Sequence, residues 1–300
     1  MFKIIKDDVN IDFISHRKFF YLTSGLLCLI SLLLIFFKGF NYGIDFAGGT
    51  IVQVKFENKA NLDEIRELFS KFNLGEVVIQ NFGSDREVLI RIASLGEDLN
   101  VVSDKISDAL FKKYGNNNVT VERVEQVGPQ IGSQLKKKAF YAIIYSLIGI
   151  LIYLALRFEL IYSVSSIIAL FHDVLITCGA LVLTGREMNI TVLAALLTIV
   201  GYSVNDTIVI FDRIRENIKN TTGKRKLSEI INKSLNNTLS RTIITSGTVL
   251  LTLIALYTLG GPVINDFAFA LLVGTVVGTY STVGIACAFV YAYKMRKGVS

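Results

Sequence analysis

The chain is 300 residues long, 52% of them hydrophobic and 19% charged, with a formal net charge of +6. A water-soluble domain of this size does not need that much apolar side chain, so the surplus must be solvated by lipid. The basic excess does not point to nucleic acid, because Lys and Arg collect beside apolar runs, where they set orientation and meet anionic membrane lipid. Cys28, Cys178 and Cys287 each lie inside an apolar run without metal-ligand spacing and read as small packing residues.

The first apolar run is Phe19–Phe37, 19 residues, long enough to span about 30 Å of hydrocarbon. His16, Arg17 and Lys18 precede it as in a secretory signal, but the run is too long for a signal core and no small-x-small site follows. The expectation is an uncleaved first span after a cytoplasmic segment 1–18.

The insert 38–138 has a different pattern. Gly49–Phe56 alternates with period two, as a half-buried strand does. Asn61–Phe72 places Leu62, Ile65, Leu68, Phe69 and Phe72 on one helical face, with Asn61 as N-cap. Glu76–Phe82 and Glu87–Ala93 alternate again around a turn at Gly83-Ser84-Asp85-Arg86, Val102–Tyr114 is helical, and Val119–Val127 is a last strand. The order β-α-β-β-α-β predicts a ferredoxin-like α+β domain, with one sheet face under helices and the other free for a partner. Such a fold indicates no function by itself.

Five apolar runs follow: Ala139–Leu156, Ile161–Leu183, Met188–Phe211, Ile243–Leu259 and Phe267–Tyr293. The fold class expected is therefore a polytopic α-helical membrane protein of six transmembrane helices, one before the insert and a bundle of five over 139–293, with a tail at 294–300. Pro129 and Pro262 stand outside the runs. The connecting stretch Asp212–Thr242 carries eight Lys and Arg against three acids, and the tail adds Lys294, Arg296 and Lys297. The short loops of opposite parity, Thr184–Glu187 and Gly260–Asp266, hold one basic residue between them. The positive-inside rule then predicts both termini in the cytoplasm and 38–138 outside; Lys136-Lys137-Lys138 opposes it locally, but long translocated domains are largely exempt.

Ionisable side chains in hydrocarbon cost about 2.5–3.5 kcal/mol each and ask for a reason. His172-Asp173 falls near the middle of the third run, and Ser203-Val204-Asn205-Asp206 falls in the fourth. Arg241 opens the fifth span, and Thr245, Thr248 and Thr252 follow it on one face. A carboxylate and a guanidinium that approach each other offset part of each other's cost. Ser203, Asn205, Thr245 and Thr248 read either as interhelical packing through hydrogen bonds or as support for a titrating site. Asp206 is the best candidate for a proton carrier. His172 and Asp173 remain open between packing and a proton relay; His titrates near neutral pH, but adjacent helical residues point about 100° apart. Gly274 and Gly278 match a small-xxx-small packing pattern. Gly48-Gly49 lacks the setting of a nucleotide loop, and neither an ATP site, a metal spacing nor a nucleophile constellation is legible.

Five segments carry a family resemblance: NYGIDFAGGT (Asn41–Thr50), VGPQIG (Val127–Gly132), ALFHDV (Ala169–Val174), GYSVNDTIVIFDRIREN (Gly201–Asn217) and LSRTIITSG (Leu239–Gly247). In this order the chain resembles the SecF type of the SecD/SecF family, from about residue 10 onward, and in layout half of an RND-type transporter. The resemblance implies SecD as partner, the SecYEG channel beside it, a translocating preprotein as client, and protons as coupling ion with no other cofactor. It implies a bacterial inner-membrane protein with a periplasmic insert and no ATPase or hydrolase site. Asp206 matches the family's intramembrane carboxylate and Arg241 its arginine; His172-Asp173 matches a family motif without an assigned role. The rival is half of an RND-type proton-driven exporter of small molecules, which would also need a partner half.

Overall fold

The computed structural model describes residues 10–70, 72, 77–92, 99–115, 118–221 and 226–297. In chain order its elements are α1 (Arg17–Phe37), β1 (Asn41–Tyr42), α2 (Ile44–Ala47), β2 (Gly49–Phe56), α3 (Leu62–Ser70), β3 (Val77–Phe82), β4 (Ser84–Ile92), α4 (Leu99–Tyr114) and β5 (Val119–Val127). Then come α5 (Pro129–Arg157), α6 (Leu160–Thr184), β6 (Glu187–Met188), α7 (Ile190–Asn220), α8 (Leu227–Leu259), α9 (Pro262–Ser281), a π-helical turn (Thr282–Cys287) and α10 (Ala288–Arg296). Among the described residues six helical stretches are long and apolar enough to cross a membrane. The protein is a polytopic α-helical membrane protein. It forms two compact units, one of Tyr42–Tyr141 with Met188–Ile190, the other of the remaining chain.

In the first unit the sheet order is β3-β4-β2-β5, and every neighbouring pair is antiparallel. One row across it runs Ile79, Ile90, Val52, Val124. Directly opposed residues share a face, and this one is covered by Ile65 and Phe69 of α3 and by Ile106 and Leu110 of α4. The Asn61 Oδ1 accepts from the Asp63 and Glu64 amides at 3.2 and 3.4 Å, satisfying the start of α3 as expected. The hairpin is tighter than the sequence suggests, with β4 beginning at Ser84 directly after Gly83, whose φ is 79°. The helix predicted to Phe72 ends at Ser70, and the strand ends predicted at Glu76 and Ala93 lie outside the described residues.

Two glycine contacts close the base of this unit. Gly49 has φ 131°, and a Cβ there would stand 2.6 Å from the Ile92 carbonyl oxygen. A Cβ on Gly132, in the first turn of α5, would stand 3.0 Å from the Phe46 oxygen and 3.1 Å from the Gly48 nitrogen. The two motifs that flank the insert in sequence thus meet through backbone. Asp45 accepts from the Ile190 amide at 3.0 Å, capping the start of α7.

In the second unit α6, α7 and the α9–α10 stretch are central: half of the apolar window of each is buried, against 6–17% for α1, α5 and α8. Close approaches use small residues. A Cβ on Gly179 would fall 2.2 Å from Ser31 Oγ, so α1 and α6 touch backbone to side chain. At one end Arg186, in the α6–α7 turn, donates to Asn265 (2.6 Å) and to the Tyr257 hydroxyl (2.9 Å), joining that turn to the end of α8 and the start of α9.

The structure corrects three boundaries. The stretch Asp212–Thr242 is not a loop: α7 continues to Asn220 and α8 starts at Leu227. Ile214, Leu227, Ile231 and Leu235 recur at helical spacing and bury against Phe158, Tyr162 and Phe211, so the extensions are amphipathic helix that a hydropathy window misses. α5 likewise begins early, at Pro129, ten residues before the predicted Ala139, with proline at the position that spares an unsatisfied N–H. The sixth span is broken in register by the π turn. A further feature had no sequence signal. The segment before α1 lies on α8, where Asn236 brackets the Ile11 backbone with two 2.9 Å bonds and Asn232 accepts from Ile14 and donates to Asp12.

Candidate functional site

Asp206 lies midway along α7, on the side that carries Ser203, Thr207 and Ile210 inward. It is 7% exposed, and its Oδ2 has no hydrogen-bond partner among the described residues. Leaving a buried polar atom unsatisfied in an apolar setting costs about 1–3 kcal/mol, more for a charged group. An atom left so is open to a proton or to a donor from outside the described residues.

The second acid is held in the opposite way. Asp173 of α6 is fully buried. Its Oδ2 accepts from Ser203 Oγ of α7 at 2.7 Å and from Ser281 Oγ of α9 at 2.9 Å. Its Oδ1 lies 2.9 Å from Nδ1 of His172. His172 turns its ring to Tyr280, with centroids 6.2 Å apart, and its Nε2 has no hydrogen-bond partner among the described residues. The Tyr280 hydroxyl in turn meets Thr23 and Ser24 of α1 at 2.7 and 3.0 Å. A polar chain therefore crosses the bundle from α1 through α9 and α6 to α7. The sequence reading named His172, Asp173 and Ser203 but not Ser281 or Tyr280. The signal available was the polar run Thr279-Tyr280-Ser281-Thr282, placed just after Gly278 in an otherwise apolar span.

The glycines explain how α9 comes so close. A Cβ on Gly274 would lie 2.2 Å from Ile199 Cδ1, and one on Gly278 would lie 3.2 Å from Ser203 Oγ and 3.4 Å from Asp173 Oδ2. A side chain at Gly274 would force Ile199 to move, and one at Gly278 would crowd Ser203 and Asp173.

Arg241 is placed differently from the sequence reading. It does not open α8 but stands well inside it, exposed, and no ion pair joins it to Asp206 among the described residues. It is still close enough for its charge to act on that carboxyl. Thr245, Thr248 and Thr252 are exposed as well, and their hydroxyls donate to carbonyls of their own helix. The inward face of α8 is instead Thr242, Ser246 and Leu253, with Ser246 bonded to Tyr202 and Thr279. On α7, Asn205 is exposed beside Gly201, Thr198 and Ala194, one small-and-polar stripe. Thus Asp206, Ser203, Asp173 and His172 point into the chain, while Asn205, Arg241, Thr245 and Thr248 point out of it. Among the described residues no group of three or more His, Cys, Asp or Glu is arranged to hold a metal ion.

Comparison with known proteins bears on this arrangement. The family described as protein export membrane protein SecD/SecF, C-terminal, matches residues 106–296, and the SecD/SecF GG motif matches residues 33–60. The chain belongs to the SecD/SecF family. A protein translocase subunit SecF of Calditerrivibrio nitroreducens is 52% identical over 98% of both chains. One from Rickettsia prowazekii is 38% identical over 98% of this chain and 94% of its own. Among solved structures, SecDF of Thermus thermophilus, a translocon-associated membrane protein, superposes with a TM-score of 0.87 at 39% identity and covers 98% of this chain. SecDF in a super-membrane-facing form gives 0.72 at 38% identity over all of it. The chain spans 40% of the length of each of those SecDF chains. Within the SecD/SecF frame, the GG motif is the positive-φ pair Gly48-Gly49 that closes the base of the insert, and the C-terminal region holds both acids, Arg241 and Ser281.

Proposed function

We propose that this chain is the SecF-type subunit of the Sec preprotein translocase, working with SecD beside the SecYEG channel to couple proton-motive force to late stages of protein export. It is an accessory subunit with no ATPase or hydrolase site, and protons are its coupling ion. It sits in the bacterial inner membrane with both termini cytoplasmic, as the K/R asymmetry of its loops suggests. Its periplasmic insert is a ferredoxin-like βαββαβ domain, a reading supported by the strand order β3-β4-β2-β5. That domain contacts the emerging preprotein in an extended state and does no chemistry.

The observation that carries the reading is the buried, partly unsatisfied Asp206 in a membrane helix whose neighbouring surface is polar and faces outward. Arg241 and Asn205 are polar groups on outward faces beside or within apolar spans, where bare lipid contact is costly. A second six-helix half, SecD, covers them. Asp206 takes up and releases the proton, Arg241 acts on it, and Asn205, Ser203, Thr245 and Thr248 support the two from either side. Desolvation and a nearby guanidinium act on a carboxyl in opposite senses, so a modest change in their separation decides which form is preferred. One charge crossing 100 mV is worth about 2.3 kcal/mol, enough to shift a two-state bundle more than tenfold. The exporter alternative is not favoured, since the relatives carry the name of translocase subunits.

Export of a reporter preprotein under full proton-motive force tests the reading. Asp206→Asn abolishes the proton-driven stimulation and leaves co-purification with SecD intact; Arg241→Lys impairs it, because Lys lacks the planar fork. Wild-type export by Asp206→Asn would refute the assignment.

A further inference from the structure

We propose that Asp173 is a positioning residue for Asp206, whose carboxylate gathers hydroxyls of α7 and α9 into one hub and so fixes the depth and rotation at which α7 presents the proton site. The inference rests on the reading that Asp206 carries the proton.

Satisfaction, and what the satisfying groups belong to, carries the argument. Asp173 is fully buried, and Ser203, Ser281 and His172 supply three polar contacts at 2.7–2.9 Å. A carboxyl so enclosed in a bundle core ties helices together. The α7 donor, Ser203, lies three residues before Asp206, a rise of about 4.5 Å, and both residues are buried on the inward side of the helix. The α9 donor, Ser281, is the last residue before the π turn. The next residue, Thr282, meets Thr207 at 3.1 Å, so α7 is gripped again one residue beyond Asp206. Asp206 therefore stands between two hydroxyl contacts that both lead to the junction of α9 with its π turn. Single π turns change helix register and recur at functional sites. Gly278 leaves the space for this junction, its missing Cβ falling 3.2 Å from Ser203 Oγ. A slide of α9, or a rotation of α6, moves Ser203 and with it the Asp206 carboxyl. Asp173 needs to accept hydrogen bonds for this role and does not need to exchange a proton.

The test uses the full chain co-produced with SecD, with proton-driven stimulation of preprotein export followed across pH. Labelling of buried Cys287 on heating and co-purification with SecD control for folding and assembly. Asp173→Asn keeps an oxygen for both serines and retains stimulation within about threefold, with the pH profile unmoved; Asp173→Ala loses about tenfold or more and Ser281→Ala about threefold, as expected from the net worth of several buried hydrogen bonds against one. An assembled Asp173→Asn that is inactive, or whose pH profile is displaced, overturns the proposal and makes Asp173 a proton carrier. Where Asp173→Asn does not assemble, Ser281→Ala decides, and wild-type stimulation by that variant overturns the proposal. Wild-type stimulation by Asp206→Asn removes the underlying reading and this inference with it, whereas the Asp173 outcomes remove this inference alone.

Discussion

Gly274→Ala probes whether α7 and α9 pack as closely as the hub requires. The added methyl would stand 2.2, 2.4 and 3.0 Å from Cδ1, Cγ1 and Cγ2 of Ile199. Ile199 is 1% exposed and β-branched; in a helix one χ1 rotamer dominates, so its two γ carbons cannot both swing clear. Overpacking of this kind costs about 1–3 kcal/mol. Replacing a helical glycine returns up to about 1 kcal/mol of propensity. The net loss expected is about 1–2 kcal/mol, roughly 5- to 30-fold in the folded ratio. Cys287 is fully buried and reports the loss as earlier labelling by a thiol-reactive dye on heating. Gly201→Ala is the control: nothing lies within 4 Å of its Cβ position, so the isolated chain should not lose stability. Adding Ile199→Ala to Gly274→Ala should recover part of the loss, a coupling that two independent sites would not show. Unchanged labelling in Gly274→Ala, with additive behaviour in the double variant, would refute the close seam.

Two further outcomes follow from the structure. Gly49→Ala forces a Cβ onto a φ of 131° and to within 2.6 Å of the Ile92 oxygen; it should cost at least about 1–3 kcal/mol and speed hydrogen exchange along β2 and β4, and unchanged exchange there would count against the base geometry. Asp12 tests the N-terminal contact with α8: the Ser15 hydroxyl first, then the Ser15 amide and Asn232, hold its carboxyl below the ordinary 3.8. A depressed folded value contributes stability above the unfolded value and loses it as pH falls through the folded one. Protection of the Ile11 and Ile14 amides, taken relative to the intrinsic exchange rate at each pH, should therefore fall below about pH 4, while Asp12→Ala should show low protection at every pH; protection independent of pH in the unaltered chain would contradict the contact.

Much of the fold is legible in the residues because lipid and water sort side chains strongly. The six apolar runs need only length and composition, and Gly49–Phe56 or Val119–Val127 need only a period of two. The basic stretch 212–242 reads as a loop for an equally physical reason: Ile214, Leu227, Ile231 and Leu235 are spaced among charges, and averaging over a window hides a face that a helix concentrates. Contacts through backbone leave less trace. The meeting of Gly132 with Phe46 and Gly48 joins positions far apart in sequence, and a glycine shows that space is needed without showing what fills it. The Thr245, Thr248 and Thr252 stripe shows the same limit. Periodicity puts these residues on one face but cannot say whether that face looks into its own bundle or out toward another. Here it looks out, and the inward face is carried by Thr242, Ser246 and Leu253.

The two intramembrane acids show why depth is a poor guide to role. By hydropathy Asp173 stands nearer mid-membrane than Asp206, and the cost of an acid rises toward the middle. That cost falls on what the acid lacks, and Asp173 lacks little: two hydroxyls and an imidazole surround it. Asp206 is shallower by sequence yet has a carboxyl oxygen without a partner among the described residues, and Arg241 lies on an outward surface with no ion pair to it among them. A well-bonded carboxyl resists change, since gaining a proton or moving would break contacts already made. An under-bonded one gains from either event. On the proposed function, the acid suited to respond to a proton gradient is the one left incomplete among the described residues, and the acid suited to hold its helix in place is the one that is completed.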